Sequence, residues 1–246
     1  MGHEDLRQAA YAVYDRHWAR VCRWGQNDPR RIWRRALRSL ERTYGDMIRS
    51  LPHGARILDV GCGSGTLLRW LAEFHPHVKA VGVDVSPGQV DMVRQALPAA
   101  EVYQHDGLEF LKQHPSEFHG IFCFHLLEHL NDCELMAWLK AVYNALIPGG
   151  FFCYRTPNAA NLTSGYHRYN DLTHVRVFAS HALLQLADIG GFSDAKLVPI
   201  RPGWIVARLR GVIEHILHRI VFFISGDPFE GTFSVDVCAV AYRPRN

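Results

Sequence analysis

A glycine-rich turn between a short apolar segment and a helix constrains this chain more than any other feature. It lies within Arg56-Ile-Leu-Asp-Val-Gly-Cys-Gly-Ser-Gly-Thr66, where the apolar residues predict a buried strand and Ser64 onward predicts a helix. Glycines at 61, 63 and 65 let the backbone approach a bound molecule closely, because no Cβ intervenes. The following helix presents its unpaired N–H groups to that molecule. The turn therefore predicts a ligand site at the end of this strand.

A second apolar segment, Ala80-Val-Gly-Val-Asp84, ends in a carboxylate. An acidic residue at the end of the second strand of such a unit binds the two hydroxyls of a ribose. The dinucleotide fingerprint Gly-x-Gly-x-x-Gly does not fit, because position 66 is threonine. Asp59 would repel a pyrophosphate, but it could order the turn or accept a hydrogen bond from an ammonium group. The pattern favours S-adenosylmethionine over a dinucleotide or a turn without a ligand.

These segments resemble, in order, the motifs of class I S-adenosylmethionine-dependent methyltransferases. Asp59 to Gly65 resembles their first motif, and Val83 to Ser86 resembles their acidic second motif. Further matches follow at His105-Asp-Gly107, Phe122 to Leu130 and Leu146 to Phe151, and weaker ones extend toward the C-terminus. The resemblance implies a Rossmann-like α/β fold with a seven-stranded, mostly parallel sheet and helices on both faces. It also implies a set of cofactor-binding residues: Asp59, Gly61, Cys62, Gly63, Gly65, Asp84, Val85, Asp106, Gly107 and His125.

The order of strand and helix patterns supports the same fold. Alternating patterns predict a parallel sheet covered on both faces, with ligands at the carboxyl ends of the strands. The predicted strands lie near 56–60, 79–84, 100–104, 119–124 and 150–156, and the helices near 64–75, 87–96, 107–113 and 132–146. A helix over 179–189, a strand near 194–200 and a last strand over 232–242 follow. In that last strand we expect inward-facing residues at alternate positions: Phe233, Val235, Val237, Ala239 and Ala241.

We predict two parts, an N-terminal helical lid over residues 1–50 and a cofactor-binding domain over 51–246. The lid comprises two helices broken near residues 25–29. Its second helix carries an arginine stripe: Arg30, Arg31, Arg34, Arg35 and Arg38. Such a stripe is either a solvated helix face or a contact surface for an anionic substrate or lipid headgroups.

An additional segment over 204–225 precedes the last strand and has helical apolar periodicity with a basic side. Such a helix can pack on its own domain, join a second subunit in a homodimer, or lie in a membrane interface. All three interpretations stay open at this stage, with packing or dimerisation preferred to peripheral membrane contact.

Charge and cysteine content limit the class of protein. A formal net charge of +3 does not require a nucleic-acid partner, and we expect none. The six cysteines are scattered and form no Cys-x-x-Cys pair, as is typical of buried thiols in a reducing compartment. No apolar run approaches the roughly 20 residues of a membrane span, and no signal peptide is evident. The sequence predicts a cytoplasmic protein, with peripheral contact at the inner face of the membrane left open.

Transfer of a methyl group to a hydroxyl requires a base to remove the proton. Histidine suits this role because its ordinary pKa lies near neutrality. We predict that His174, with His129 or Asp171, positions or deprotonates the acceptor.

The segment His125-Leu-Leu-Glu-His129 also allows metal hypotheses. It matches an inverted zinc-protease motif, but its place after a strand of a nucleoside-binding sheet disfavours a protease. Glu128-His129 resembles the pair with which some methyltransferases, including small-RNA 2′-O-methyltransferases, bind Mg²⁺. Those enzymes have a carboxylate where this chain has His125, and Mg²⁺ prefers oxygen ligands. We therefore predict no metal.

The polar, aromatic-rich loop over 157–177 suggests the acceptor. Its stretch from Tyr166 to Phe178 resembles methyltransferases of bacterial surface-polysaccharide clusters, including the enzymes of O-antigen and lipopolysaccharide biosynthesis. The resemblance implies a sugar or sugar phosphate of a surface glycan as the substrate. The predicted substrate residues are Tyr166, His167, Arg168 and Tyr169. The alternatives are a small metabolite, such as a quinone or natural-product precursor, or a binding module without turnover.

Overall fold

The computed structural model describes residues 29–226 and 232–245. Seven strands form one sheet in the order β3-β2-β1-β4-β5-β7-β6. The strands are β1 (Arg56–Val60), β2 (Lys79–Asp84), β3 (Glu101–Gln104), β4 (Phe118–Phe124), β5 (Leu146–Pro157), β6 (Ser193–Leu197) and β7 (Asp236–Tyr242). Pairing from β3 through β5 is parallel, and β7 runs antiparallel to both of its neighbours. The predicted seven-stranded, mostly parallel fold is confirmed.

Eight α-helices are described around the sheet, with a short 3₁₀ helix at Leu127–His129. They are α1 (Pro29–Arg49), α2 (Thr66–Phe74), α3 (Pro87–Ala96), α4 (Gly107–Gln113), α5 (Asp132–Ala145), α6 (Ser164–Tyr169), α7 (Ser180–Ile189) and α8 (Ile205–Ser225). Caps explain where several begin. The Ser86 hydroxyl accepts from the Gln89 N–H at the start of α3, and Asn131 with Glu134 forms a capping box on α5.

The core lies on both faces of the sheet. Leu58 and Val60 of β1 belong to a large apolar cluster formed with α4, α5 and α7. Ile57, the residue before Leu58 on β1, belongs to a second cluster formed with α1 and α2. This division reflects the alternation of side chains along a strand, and burial on both faces explains the continuous apolar runs of the central strands.

Helix α1 packs closely against the rest of the protein. Its residues Leu37, Leu40, Tyr44 and Ile48 are buried, and Glu41 accepts hydrogen bonds from Trp70 Nε1 (2.9 Å) and His75 Nε2 (2.8 Å). Burial alone would raise the pKa of Glu41, but bonds from Trp70, His75 and Arg49 outweigh it and lower the pKa. The predicted preceding helix and Cys22 lie outside the described residues, and a lid function stays a prediction.

Three local expectations were wrong. Strand β7 begins at Asp236 rather than 232, and its residues Val237 to Ala241 are all buried, so they do not alternate. The reason is that β7 is an interior strand covered on both faces, whereas Val235 before it is 39% exposed. Strand β5 begins at Leu146 and is longer than predicted. The predicted loop over 157–177 contains the short helix α6.

Two further findings concern the environment of the chain. Among the described cysteines, Cys62, Cys123, Cys153 and Cys238 are buried and Cys133 is exposed, and all five are free thiols. Within 29–226 and 232–245, every helix is too short or too polar to cross a membrane.

Candidate active site

The glycine turn is fixed to the end of β2 by its own backbone. The N–H groups of Gly61 and Cys62 both donate to the Val83 carbonyl, at 2.9 and 3.1 Å. Glycines 61, 63 and 65 all have positive φ, a conformation that residues with a Cβ rarely adopt. Apart from Gly63 and its two chain neighbours, no residue has an atom within 4 Å of the position that a Cβ on Gly63 would occupy. The turn therefore leaves a backbone cradle open at Gly63, as a close-fitting ligand requires.

Asp84 joins the cradle to the second strand. Its Oδ2 accepts from the Gly63 N–H (2.8 Å), and its Oδ1 accepts from the Ser86 N–H (2.9 Å). These bonds hold the carboxylate at the end of β2, the place where an acidic residue binds ribose hydroxyls in sheets of this kind. Val85 beside it is 53% exposed, which leaves an apolar side chain for a ligand to cover.

Asp59 and Cys62 lie beneath the turn. Burial, and then the charge of Asp84, raise the pKa of Asp59 to about 7, against an opposing effect of Arg155. The Cys62 side chain packs with Leu68, Val90 and other apolar residues, and burial raises its pKa. Cys62 can therefore contribute to the cradle through its backbone rather than through its thiol.

Asp106 and Gly107 follow β3 at the same edge of the sheet. The Asp106 side chain caps α4 by accepting from the Glu109 N–H at 3.0 Å. A Cβ on Gly107 would stand 2.8 Å from Val60 and 3.1 Å from Trp138. Glycine is therefore required where α4 begins against β1. The structure brings both Asp106 and Gly107 to the carboxyl edge of the sheet.

His125 lies directly after β4 with a positive φ of 54°. Its Nδ1 is 3.3 Å from Glu128 Oε1, and its Nε2 is 3.3 Å from Asp236 Oδ2. Burial would lower the pKa of His125, but the hydrogen bonds to Asp236 and Glu128 outweigh it and raise the pKa to about 9. A protonated His125 therefore links the end of β4 to the start of β7.

His129 is oriented by a chain of hydrogen bonds. Thr173 Oγ1 donates to Asp171 Oδ1 at 2.6 Å and lies 2.8 Å from His129 Nδ1. Because the Thr173 proton is used on Asp171, His129 Nδ1 must be the donor in the second bond. The neutral ring then has its lone pair on Nε2.

Asp171 is held as a carboxylate by Thr173. Burial would raise its pKa, but hydrogen bonds from the Thr173 hydroxyl and N–H outweigh that effect and lower the pKa. A carboxylate with a lowered pKa is a weak base. The geometry therefore favours Asp171 as a positioning residue that acts through Thr173.

His174 completes a polar cluster with His129, Asp171 and Thr173. Its Nδ1 donates to the His167 carbonyl at 2.8 Å, so the neutral ring carries its lone pair on Nε2. The rings of His129 and His174 lie 4.7 Å apart in an edge-to-face arrangement. The chain segment that carries His129 also reaches the glycine turn, because Leu126 lies 3.1 Å from the Cβ position of Gly61.

Glu128, His129 and His174 could together hold a metal ion. Each offers one ligand atom, and these atoms lie within 4.8 Å of one another. Glu128 is fully buried, and both histidines direct Nδ1 to an oxygen, which is the usual arrangement of a metal-ligating histidine. The expectation of no metal stays a prediction.

The four predicted substrate residues lie on α6. Tyr166 and Tyr169 are 67% and 77% exposed. Arg168 Nη2 donates to the Val175 carbonyl at 3.1 Å, and the His167 carbonyl accepts from His174. Arg168 and His167 therefore tie α6 to the residues around His174. The two tyrosines are exposed and can contact a substrate.

Sequence reasoning did not find Asp236, Thr173 or Asn161. Asp236 becomes adjacent to His125 only through the antiparallel pairing of β5 with β7, where it faces Pro157. Asn161 Nδ2 donates to the Phe233 carbonyl at 2.7 Å. The polarity of Thr173 next to His174 was the one available signal, because a hydroxyl there can orient a ring.

Comparison with known proteins identifies the family of the chain. A family model described as "Methyltransferase domain" matches residues 29–197. A ubiquinone biosynthesis O-methyltransferase of Xanthomonas campestris is 30% identical over 200 residues, which cover 72% of this chain and 82% of that protein.

Solved structures show the same fold. An S-adenosylmethionine-dependent methyltransferase from Archaeoglobus fulgidus has a TM-score of 0.62 at 21% identity, covering 85% of this chain and 94% of the other. A second from Thermotoga maritima has a TM-score of 0.62 at 16% identity, covering 95% and 99%.

The chain is a methyltransferase that uses S-adenosylmethionine as its cofactor. It belongs to the methyltransferase-domain family. The predicted enzyme class, fold and cofactor are confirmed, and the alternative of a binding module without turnover is not supported. The resemblance to surface-polysaccharide enzymes is not supported by the relatives, which are ubiquinone biosynthesis enzymes.

Proposed function

We propose that this enzyme methylates a hydroxyl group of a small aromatic metabolite, such as a quinone precursor. The observation that carries the proposal is His174, whose Nδ1 donates to the His167 carbonyl. Its Nε2 is therefore the nitrogen that can accept a proton, in the cluster that it forms with His129. A phenolic hydroxyl needs such a base, because it must lose its proton to become a good nucleophile.

The cofactor roles follow the geometry of the carboxyl edge. Asp84 binds the ribose hydroxyls, while Val85, Asp106 and Gly107 border the adenine. The backbone from Gly61 to Gly65 faces the methionine part, and a charged Asp59 attracts its cationic end. When bound, S-adenosylmethionine supplies an activated methyl group. Alignment of the acceptor with that group accounts for much of the rate.

The acceptor roles belong to the cluster after β4. His174 removes the hydroxyl proton. His129, whose ring is oriented by Thr173 and Asp171, positions the acceptor. The similarity to ubiquinone biosynthesis O-methyltransferases supports a quinone precursor over a glycan. A divalent metal on Glu128, His129 and His174 would instead lower the pKa of the hydroxyl directly.

A glycan acceptor is the second candidate, because one observation favours it. Exposed Tyr166 and Tyr169 next to Arg168 form a surface on which a sugar ring could stack. In that case the same base would act on a sugar hydroxyl.

The test is a methyl-transfer assay with mass-spectrometric detection of the product. Catechols with and without a prenyl chain are compared with sugar and sugar-phosphate acceptors, each with Mg²⁺ or with EDTA. We expect methylated catechol with His174-dependent turnover. Turnover of glycans alone would contradict the proposal, and turnover abolished by EDTA would assign the cluster to metal binding.

A further inference from the structure

Helix α8 packs on the protein with its more polar face. The residues turned inward recur at helical spacing: Ala207, Glu214, His218 and Phe222. Asn161 Nδ2 donates to Glu214 Oε1 at 2.9 Å. The Leu162 N–H donates to His218 Nε2 at 2.9 Å, and His218 Nδ1 donates to the Glu214 carbonyl. These bonds fix which side of the helix faces the protein.

The opposite face of α8 is apolar and exposed. Most of its large side chains are about half exposed or more, namely Val206, Leu209, Val212, Ile213, Ile216, Leu217, Ile220, Val221, Phe223 and Ile224. Phe223 reaches 86% exposure. A surface helix normally buries its apolar stripe, and a contiguous exposed patch of this kind marks an interaction site.

Basic residues flank this apolar face on both sides. Arg208, His215 and Arg219 follow one edge at helical spacing, and Arg210 lies on the other; all four are exposed. The sequence of α8 has one acidic residue, Glu214, and its carboxylate is bonded to Asn161 on the packed side. The exposed surface is therefore apolar in the middle and cationic at its edges.

Residues next to α8 extend both its apolar surface and its positively charged edges. Leu162, whose N–H bonds to His218, is 54% exposed and lies two residues before α6. At the start of α8, the guanidinium of Arg35 lies 3.9 Å over the Trp204 ring. Arg34 and Arg38, on the same helix as Arg35, are exposed. The helix thus begins beside the arginine stripe of α1.

We infer that α8 is a membrane-docking helix that lies in the interface of an anionic lipid bilayer. Its apolar face enters the acyl boundary, and its flanking arginines bind phosphate headgroups. The helix is too polar to cross a bilayer, which agrees with an orientation parallel to the surface. This inference does not depend on which acceptor is methylated.

Charge favours a lipid surface over a second copy of the chain. Two copies of α8 packed face to face would bring their arginines together with no exposed carboxylate on either helix to pair with them. Like charges at such an interface are unfavourable. Anionic headgroups offer the complementary charge, and the three arginines contribute additively to binding.

The test is co-sedimentation of the full chain with vesicles of phosphatidylcholine, with and without phosphatidylglycerol. We expect binding that requires phosphatidylglycerol and weakens with salt. Arg208→Gln with Arg219→Gln should lower vesicle affinity about twenty-five-fold, at about fivefold for each arginine. Ile216→Ser should lower it about tenfold, because half of a large apolar side chain no longer enters the lipid.

Matched controls change the same residue types elsewhere. Ile189→Ser on α7 removes an isoleucine that is 58% exposed, and Lys140→Gln on α5 removes an exposed charge; neither should alter vesicle binding. Every variant should keep its circular dichroism spectrum and its S-adenosylmethionine affinity. Failure to bind either vesicle type would overturn the inference. A dimer detected by sedimentation velocity that Ile216→Ser dissociates, without vesicle binding, would assign the face to a second copy.

Discussion

The two halves of the carboxyl edge are built differently. The cofactor half is assembled from neighbouring strand ends, and its defining bond from Gly63 to Asp84 joins residues 21 positions apart. The acceptor half joins distant segments: His129 bonds to Thr173 across 44 positions, and Asn161 bonds to Phe233 across 72. Local motifs thus fix the cofactor site, whereas the acceptor site depends on the packing of β4, α6 and β7.

This difference separates binding from chemistry. Changes in the cofactor half should abolish affinity for S-adenosylmethionine. Changes in the acceptor half should leave that affinity intact and affect turnover or stability. Four variants test this division, beginning with the largest expected effect.

Asp84→Ala should weaken S-adenosylmethionine binding about a thousandfold, because it removes charged acceptors for both ribose hydroxyls and for the Gly63 N–H. Isothermal titration measures the effect. Asp91→Ala removes an exposed carboxylate of α3 and should bind normally. Tight binding by Asp84→Ala would refute the assignment of the ribose site.

His174→Gln should lower kcat about a hundredfold or more, since a positioned general base contributes at least that factor. S-adenosylmethionine affinity should be unchanged, because His174 belongs to the acceptor half of the site. His53→Gln, at an exposed histidine before β1, serves as the control. Unaltered turnover would remove His174 from the mechanism.

Asp59→Asn should flatten the pH dependence of cofactor affinity. The pKa of Asp59 is raised to about 7, so its attraction for a cationic ligand is present at pH 8 and is lost as the pH falls. Wild-type affinity should drop by up to about tenfold more than that of Asp59→Asn between pH 8 and pH 6. Any titration of the cofactor amine is common to both proteins. Parallel profiles would show that Asp59 does not contact the charge.

Asp236→Asn should produce the smallest effect, on stability. The folded pKa of His125 is raised to about 9, so its ion pairs stabilise the protein fully below pH 6.5, and this contribution is lost as the pH rises through 9. Between pH 6.5 and pH 9, the free energy of unfolding measured in urea should fall by about 1 kcal/mol less in Asp236→Asn than in the wild type. The amount is small because 42% of the His125 side chain is exposed to solvent. Asp91→Asn should behave as wild type, and an unchanged slope in Asp236→Asn would refute the ion-pair account.

The sequence was sufficient for the sheet and for the cofactor end. Glycines at alternate positions and a carboxylate at a strand end are local signals, so the pattern of residues alone predicts that Gly61, Gly63 and Asp84 come together at the carboxyl edge, where the structure joins Gly63 to Asp84. The start of α3 at Pro87 and of α4 at Gly107 followed from the same short-range patterns.

The acceptor end could be predicted only in part. His129 and His174 were correctly expected at one edge, and the structure brings their rings to 4.7 Å. The pairing of His125 with Asp236 could not be anticipated, because it depends on the register between β5 and β7 rather than on any local pattern. The face that α8 presents to solvent was also undetermined, since periodicity locates an apolar stripe but not its partner.

The hydrogen bonds that Glu41 accepts determine where this protein can be shortened. A carboxylate of α1 satisfies both the indole of Trp70 on α2 and the ring of His75. A chain shortened past Glu41 would leave two buried donors unpaired and uncover the apolar cluster beneath α1. We therefore expect the shortest independently folding unit to include α1, in keeping with a family match that begins at residue 29.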